Sequence, residues 1–200
     1  MSKKLLIGTG NQAKVNSYKK FLKDFKLEIV SAGDLKIPEP EEKSETFEEE
    51  AINKAKYYFE KSHLPTLVDD GGMEIDALGG EPGVRSRRWL GHEMKDQEII
   101  AEVMRRMQGV PAERRTCKFS IVIALATPFG IFTSHGEIAG VIADKPSEKI
   151  IPRYPYRSVT FLPNYKKYWC EIDEEEEKIL DHRKHALEKL TDIFKEISKQ

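Results

Sequence analysis

A short apolar run, Leu5-Leu6-Ile7, stops at Gly8-Thr9-Gly10-Asn11, and helical spacing takes over at once with Val15, Tyr18, Phe21, Leu22 and Phe25. A three-residue run cut off by two glycines reads as a buried strand ending in a tight turn, and the 3.6-residue recurrence after it reads as a helix. The same alternation continues. Leu27 to Ser31 is a second strand candidate, and a helix starts at Thr46, where Thr46 and Glu49 fit a capping box and Phe47, Ala51, Ala55, Tyr58 and Phe59 form the apolar stripe. Leu64 to Val68 is a strand that runs into Asp69-Asp70-Gly71-Gly72, with Met73 to Leu78 as a further strand beyond that turn. Ile99 to Met107 marks a helix, Phe119 to Leu125 alternates as a strand does, and Ile131 to Ile142 supplies another. Residues 145–170 carry four prolines and read as irregular, and a last helix, in one or two pieces, covers about Glu174 to Lys199. Strands and helices alternate in the first half and consecutive strands dominate the middle, so the expected class is α/β with a mixed sheet flanked by helices.

No repeat, low-complexity tract or linker divides the 200 residues, which are expected to form one domain, or two closely packed lobes. Hydrophobic residues at 39% suffice for a core. A net charge of -1 argues against nucleic acid as the main partner, because phosphate neutralisation by a basic excess dominates such binding. No apolar run reaches the roughly 18 residues of a membrane span, and the N-terminal apolar stretch is too short for a signal-peptide core. The two cysteines, Cys117 and Cys170, match neither a disulfide framework nor metal-ligand spacing. A cytoplasmic protein is the expectation.

Several polar clusters bear on chemistry, each with a plainer reading beside it. The loop 8–14 joins a strand to a helix, offering close backbone approach, free N–H groups at a helix N-terminus and the charge of Lys14 to a phosphate. It is not a Walker A loop, and an ordinary turn with a surface lysine fits the same letters. Asp69-Asp70 closes an apolar strand, where two adjacent carboxylates call for a cation, and Mg2+ takes one or two carboxylates plus substrate phosphates; an acidic turn that caps the next segment is the alternative. Glu41 and Glu42 lie in a proline-restricted loop, as metal ligands or as solvated surface. Lys54 lies on the helix that follows, as a phosphate contact or a partner of Glu50. His182-Arg183 joins a group that titrates near neutrality to a planar fork of donors. Tyr154, Tyr156 and Phe161 supply aromatic faces for a base or for packing.

Taken in order, Thr9-Gly10-Asn11-x-x-Lys14, Thr46-Phe47-x-Glu49-x-Ala51-x-x-Lys54-Ala55, Asp69-Asp70-Gly71-Gly72-Met73, Leu78-Gly79-Gly80-x-Pro82-Gly83-Val84-x-Ser86-x-Arg88 and His182-Arg183-x-x-Ala186-Leu187 resemble the inosine triphosphate pyrophosphatase family over nearly the whole chain. The resemblance implies two lobes with a deep cleft between them, a homodimer, and Mg2+-dependent hydrolysis of ITP, dITP and XTP to monophosphate and pyrophosphate. It implies that Thr9, Gly10, Asn11 and Lys14 cradle phosphates, that Glu41 or Glu42 holds metal with Asp70, and that Asp70 accepts the proton beside Asp69. Lys54 would be a phosphate contact, and Gly71 and Arg88 substrate contacts. His182 and Arg183 would read the base, the arginine donating to a 6-keto oxygen that adenine lacks.

The chain departs from that pattern at several positions. Gly71 replaces a serine but keeps its N–H, and Glu50 stands where an asparagine is common. The base segment, typically Gly-Phe-Gly-Tyr-Asp-Pro, is Arg153-Tyr154-Pro155-Tyr156-Arg157-Ser158, with Tyr154 as the surviving stacker, Arg157 reversing an acidic charge, and Lys178 one residue nearer His182 than expected. The phosphate half is intact and the base half altered. Broad triphosphate pyrophosphohydrolysis is expected, with activity retuned to another modified nucleotide, or a silent nucleotide-binding dimer, as alternatives.

Overall fold

The computed structural model describes residues 3–199. Seven strands and six helices follow the chain in the order β1 (Lys3–Ile7), α1 (Gln12–Leu22), β2 (Leu27–Ser31), α2 (Phe47–Ser62), β3 (Thr66–Ile75), α3 (Asp96–Arg106), β4 (Thr116–Thr127), β5 (Gly130–Ile142), β6 (Thr160–Leu162), β7 (Lys167–Tyr168), α4 (Glu174–Leu180), α5 (His182–Glu188) and α6 (Thr191–Lys199). The strands form one mixed sheet in the order β2-β1-β3-β4-β5-β6-β7. β1 pairs in parallel with β2, Leu5 opposite Ile29, and with β3, Leu6 opposite Thr66, while β6 is antiparallel to both β5 and β7.

The chain forms two compact units whose borders fall inside β3, β4 and β5. The first unit holds the residues up to Asp70, 121–136, and those from Arg183 onward. Its strands bury both faces, as the period of two in an extended chain dictates. Leu5, Ile7, Leu67, Ile123 and Leu125 pack on Val15, Tyr18 and Leu22 of α1, on Leu187, Phe194 and Ile197 of the C-terminal helices and on Leu190 between them. Leu6, Val68, Val122, Ala124 and Ala126, one step out of phase, pack on Ala51, Ala55 and Tyr58 of α2. Each fully buried large apolar side chain contributes about 1.5–3 kcal/mol, so the two clusters together fix which helix faces which side of β1 and β3. The second unit, 71–120 and 137–182, packs Ile99, Ile100 and Val103 of α3, with Met107, against Met73, Ile75, Cys117, Ile142, Tyr156 and Val159.

α2 starts as its sequence requires, with the Thr46 hydroxyl oxygen accepting the Glu49 N–H at 3.2 Å, and ends at His63 in the left-handed region, whose N–H bonds the Phe59 carbonyl. Three expectations are corrected. Asp69-Asp70-Gly71-Gly72 is no turn but the middle of β3, which runs unbroken to Ile75. Gly72 leaves room that the packing around this strand requires: a Cβ there would lie 2.6 Å from the Gly83 carbonyl oxygen. The irregular segment contains β6 and β7, too short to show periodicity, and the C-terminal helix is three helices. The first break falls at Asp181, whose φ of -63° and ψ of 88° leave the helical region.

Gly8 ends β1 under the side chains of α2 and β3: a Cβ there would meet Val68 Cγ1 at 2.5 Å and Tyr58 Cδ2 at 2.6 Å. Both neighbours are buried, so the clash cannot be relieved cheaply. Gly8→Ala is expected to destabilise the chain by about 1–3 kcal/mol, the usual cost of overpacking, in urea unfolding followed by circular dichroism.

Candidate active site

The loop after β1 is organised by its own side chains. The Asn11 N–H donates to the Thr9 hydroxyl oxygen at 3.1 Å, and the Asn11 side-chain oxygen accepts the Lys14 N–H at 3.4 Å, the position of a helix cap for α1. The Gly10 N–H points to Glu39 Oε1 at 3.3 Å, a contact from the acidic loop that the sequence did not signal. Thr9, Gly10, Asn11 and Lys14 thus lie together at the N-terminus of α1, the positive end of the helix dipole, which favours an anion.

The two aspartates have separate surroundings because consecutive strand residues face opposite ways. Asp69 follows Leu67 onto the α1 face. Its Oδ1 accepts from Lys14 Nζ at 2.9 Å and its Oδ2 from the Arg183 guanidinium at 2.9 Å, and its side chain is 3% exposed. Burial by itself would raise this carboxyl; Lys14 and Arg183 outweigh burial and hold it well below the usual carboxylate range. Arg183, expected to read a base, is here an ion-pair partner whose guanidinium also lies 5.7 Å from the centroid of the buried Tyr18 ring.

Asp70 follows Val68 onto the α2 face. Lys54 Nζ donates to Asp70 Oδ1 at 2.8 Å and to Glu42 Oε1 at 2.6 Å. Burial, the largest influence, pushes Asp70 up to about 6, with Glu42 adding and Lys54 opposing. Burial would lower Lys54, but the two carboxylates outweigh it and keep the ammonium charged. Of the two candidate glutamates, Glu42 joins this cluster, whereas Glu41 pairs with Lys43 at 2.8 Å on the surface.

The donor set suits a hard divalent cation. Glu42 and Asp70 already converge on one positive group, and both are oxygen ligands of the kind Mg2+ selects. Among the described residues no three His, Cys, Asp or Glu side chains form a cage. A divalent ion held there would draw its remaining ligands from water and substrate phosphates.

The remaining sequence candidates, Arg183 apart, belong to the second unit. Gly71 and Arg88 are exposed. Tyr154 is 46% exposed, and Tyr156 is a core residue whose hydroxyl donates to the Ser86 carbonyl at 2.6 Å. Arg157 lies between two rings, 5.0 Å from the Tyr154 centroid and 4.7 Å from that of Trp169, and is held bidentately by Glu177 at 2.6 and 3.2 Å. Lys178 pairs with Glu175 on the exposed side of α4. His182 is buried, edge-on to Phe119 and Trp169 at centroid distances of 5.6 and 6.1 Å.

The Ham1 family profile matches residues 5–193. The chain is similar to the dITP/XTP pyrophosphatase of Yersinia pseudotuberculosis, 34% identical over 199 residues, covering 96% of this chain and 98% of the relative. It is also similar to the dITP/XTP pyrophosphatase of Desulforamulus reducens, 36% identical over 193 residues with 96% and 95% covered. Among solved structures, a HAM1 protein from Coxiella burnetii superposes with a TM-score of 0.88 at 30% identity, over 97% of this chain and 99% of that one.

The Asp69 pairings give a stability prediction. Removing its charge leaves a buried guanidinium without its anion, at a cost of about 3 kcal/mol. Asp69 is held below its unfolded pKa, so its contribution is complete above about pH 4 and fades only as pH falls below that. Asp69→Asn is therefore expected to lower unfolding free energy by about 3 kcal/mol, equally at pH 7 and pH 5.5, in urea titrations.

Proposed function

This chain belongs to the Ham1 family, and we propose that it hydrolyses non-standard purine nucleoside triphosphates, dITP, ITP and XTP, to the monophosphate and pyrophosphate. The observation that carries this reading is the meeting of Lys54 with the carboxylates of Glu42 and Asp70. The dITP/XTP activity named for the similar proteins of Yersinia and Desulforamulus supports it.

In this mechanism Thr9, Gly10, Asn11 and Lys14 bind the triphosphate, and Glu42 and Asp70 hold Mg2+. Bound there, Mg2+ supplies Lewis-acid neutralisation of phosphate charge. A water molecule attacks the α-phosphorus: a P–O bond forms to the water oxygen, the α–β bridge breaks, and pyrophosphate leaves with the bridging electron pair. Asp70 takes the proton, its carboxylate sharing the cluster with Lys54 and Glu42. Lys14 and Lys54 offset the charge that grows on the phosphate oxygens. Asp69 acts indirectly, fixing Lys14 by their 2.9 Å ion pair.

Base selection falls to His182, Tyr154 and the 153–158 segment, with Gly71 and Arg88 as further contacts. Arg157 reverses the charge expected there, but Glu177 balances it, which supports broad activity rather than capture of one anionic base. The enzyme is proposed to work as a cytoplasmic homodimer of a single domain type, keeping the nucleotide pool clean. No described helix is long and apolar enough to cross a membrane.

The test is pyrophosphate release from ITP, dITP, XTP, GTP and ATP with Mg2+. ITP, dITP and XTP are expected to exceed ATP and GTP by more than about tenfold in kcat/KM. Asp70→Asn is expected to lower turnover by about 10²–10⁴-fold. Silence of the folded protein across the panel would overturn the reading.

A further inference from the structure

The glutamate at position 50 departs from the family pattern, and its surroundings give it a task. It lies in the first turn of α2, where side chains lean back towards the helix N-terminus. Its carboxylate is 4% exposed, an unusual burial for a glutamate. Oε2 accepts two backbone hydrogen bonds from the acidic loop, from the Lys43 N–H at 3.2 Å and the Ser44 N–H at 3.0 Å. Oε1 lies 3.9 Å from Lys54 Nζ. One buried carboxylate therefore grips the backbone next to Glu42 and faces the ammonium that Glu42 binds.

The arrangement decides where the Glu42 carboxylate can be. The acidic loop has no regular structure between β2 and α2, so no ladder fixes its backbone. Asn53 of α2 adds a weaker tether through its Nδ2 donation to the Ser44 hydroxyl at 3.1 Å, in an exposed position. Without Glu50, the Lys43 and Ser44 N–H groups would turn to water and Glu42 would no longer be presented to Lys54 and Asp70.

We propose that Glu50 is a positioning residue that fixes the acidic loop so that Glu42 and Asp70 form one metal-binding pair. This rests on the reading of Glu42 and Asp70 as the metal-holding pair. Glu50 itself touches neither substrate nor metal. Its action runs through two backbone hydrogen bonds, so an amide oxygen of the same reach can take its place.

The test compares Glu50→Gln, Glu50→Ala and Glu50→Asn with the unaltered chain in two measurements. One is amide hydrogen exchange at Lys43 and Ser44, read by NMR on the protein alone. The other is the Mg2+ concentration for half-maximal pyrophosphate release from saturating ITP. Glu50→Ala, and Glu50→Asn with its shorter reach, are expected to lose protection at both amides and to need about tenfold more Mg2+, the usual effect of removing a support behind a ligand. Glu50→Gln is expected to keep both protection and metal requirement near those of the unaltered chain. If Glu50→Ala does not fold, Glu50→Asn against Glu50→Gln decides. An unchanged Mg2+ requirement in a folded Glu50→Ala or Glu50→Asn, with only kcat or stability reduced, would overturn the inference while leaving the metal site standing. An unaltered chain that turns over ITP equally well without divalent metal would remove the metal reading itself, and the inference with it.

Discussion

Two adjacent aspartates in the middle of a strand are an electrostatic problem that the sheet solves by geometry. Consecutive side chains of β3 point to opposite faces, so the charges of Asp69 and Asp70 are separated by the sheet itself and meet different helices. Each is then matched by cations from the helix that the hydrophobic pattern had already assigned to that face. Leu67 and Val68 choose the faces one step earlier, the first packing on α1 and α6, the second on α2. Lys14 and Lys54 are thus brought to their carboxylates by the same periodicity that builds the core.

The two aspartates emerge with opposite characters. Asp69 is buried but faces two cations, and stays ionised as a fixed anchor. Asp70 is also largely buried, yet shares its one close cation with Glu42, and burial prevails. Chemically identical neighbours are shifted in opposite directions because one has a second cation and the other a second anion. Lys54 holds the second group together: it binds both carboxylates at hydrogen-bond distance, the place a divalent ion and a phosphate oxygen would contest.

Much of this was legible in the sequence, for identifiable reasons. β1, β2 and α2 were readable because their apolar residues recur at strand or helix spacing and their ends carry Gly8 and Thr46. Of the first unit's candidates, Lys14 stood out beside the glycine-bounded end of β1, whereas Lys54, midway along α2, and Asp70, in the middle of β3, stood out only as charges beside apolar patterns. β3 was misread because Gly71 and Gly72 usually punctuate a chain, whereas here they continue a strand, and at Gly72 the neighbouring Ser86 and Gly83 leave no room for a side chain. β6 and β7 were invisible because strands of three and two residues show no period. Glu50 stood out only as a partner of Lys54 and as a departure from the family pattern: its loop partners are backbone N–H groups six and seven residues earlier, and no side-chain pattern encodes such a contact.

The altered base segment shows the same rule, that a charge must be read with its partners. Arg157 in place of an acidic residue looks like a reversed pocket when taken alone. In the second unit it is flanked by the Tyr154 and Trp169 rings and bonded through both terminal nitrogens to Glu177. A guanidinium held bidentately and flanked by two rings has its charge matched within the segment and α4. The exchange therefore leaves the local charge balanced and moves the acidic partner from the loop to α4. Tyr156, which matches the tyrosine of the expected segment, turns inward to the Ser86 carbonyl. Tyr154 is left as the exposed aromatic face of the segment, and a lone flat face stacks on any purine. A segment whose charges are spent on one another fits the broad activity proposed above.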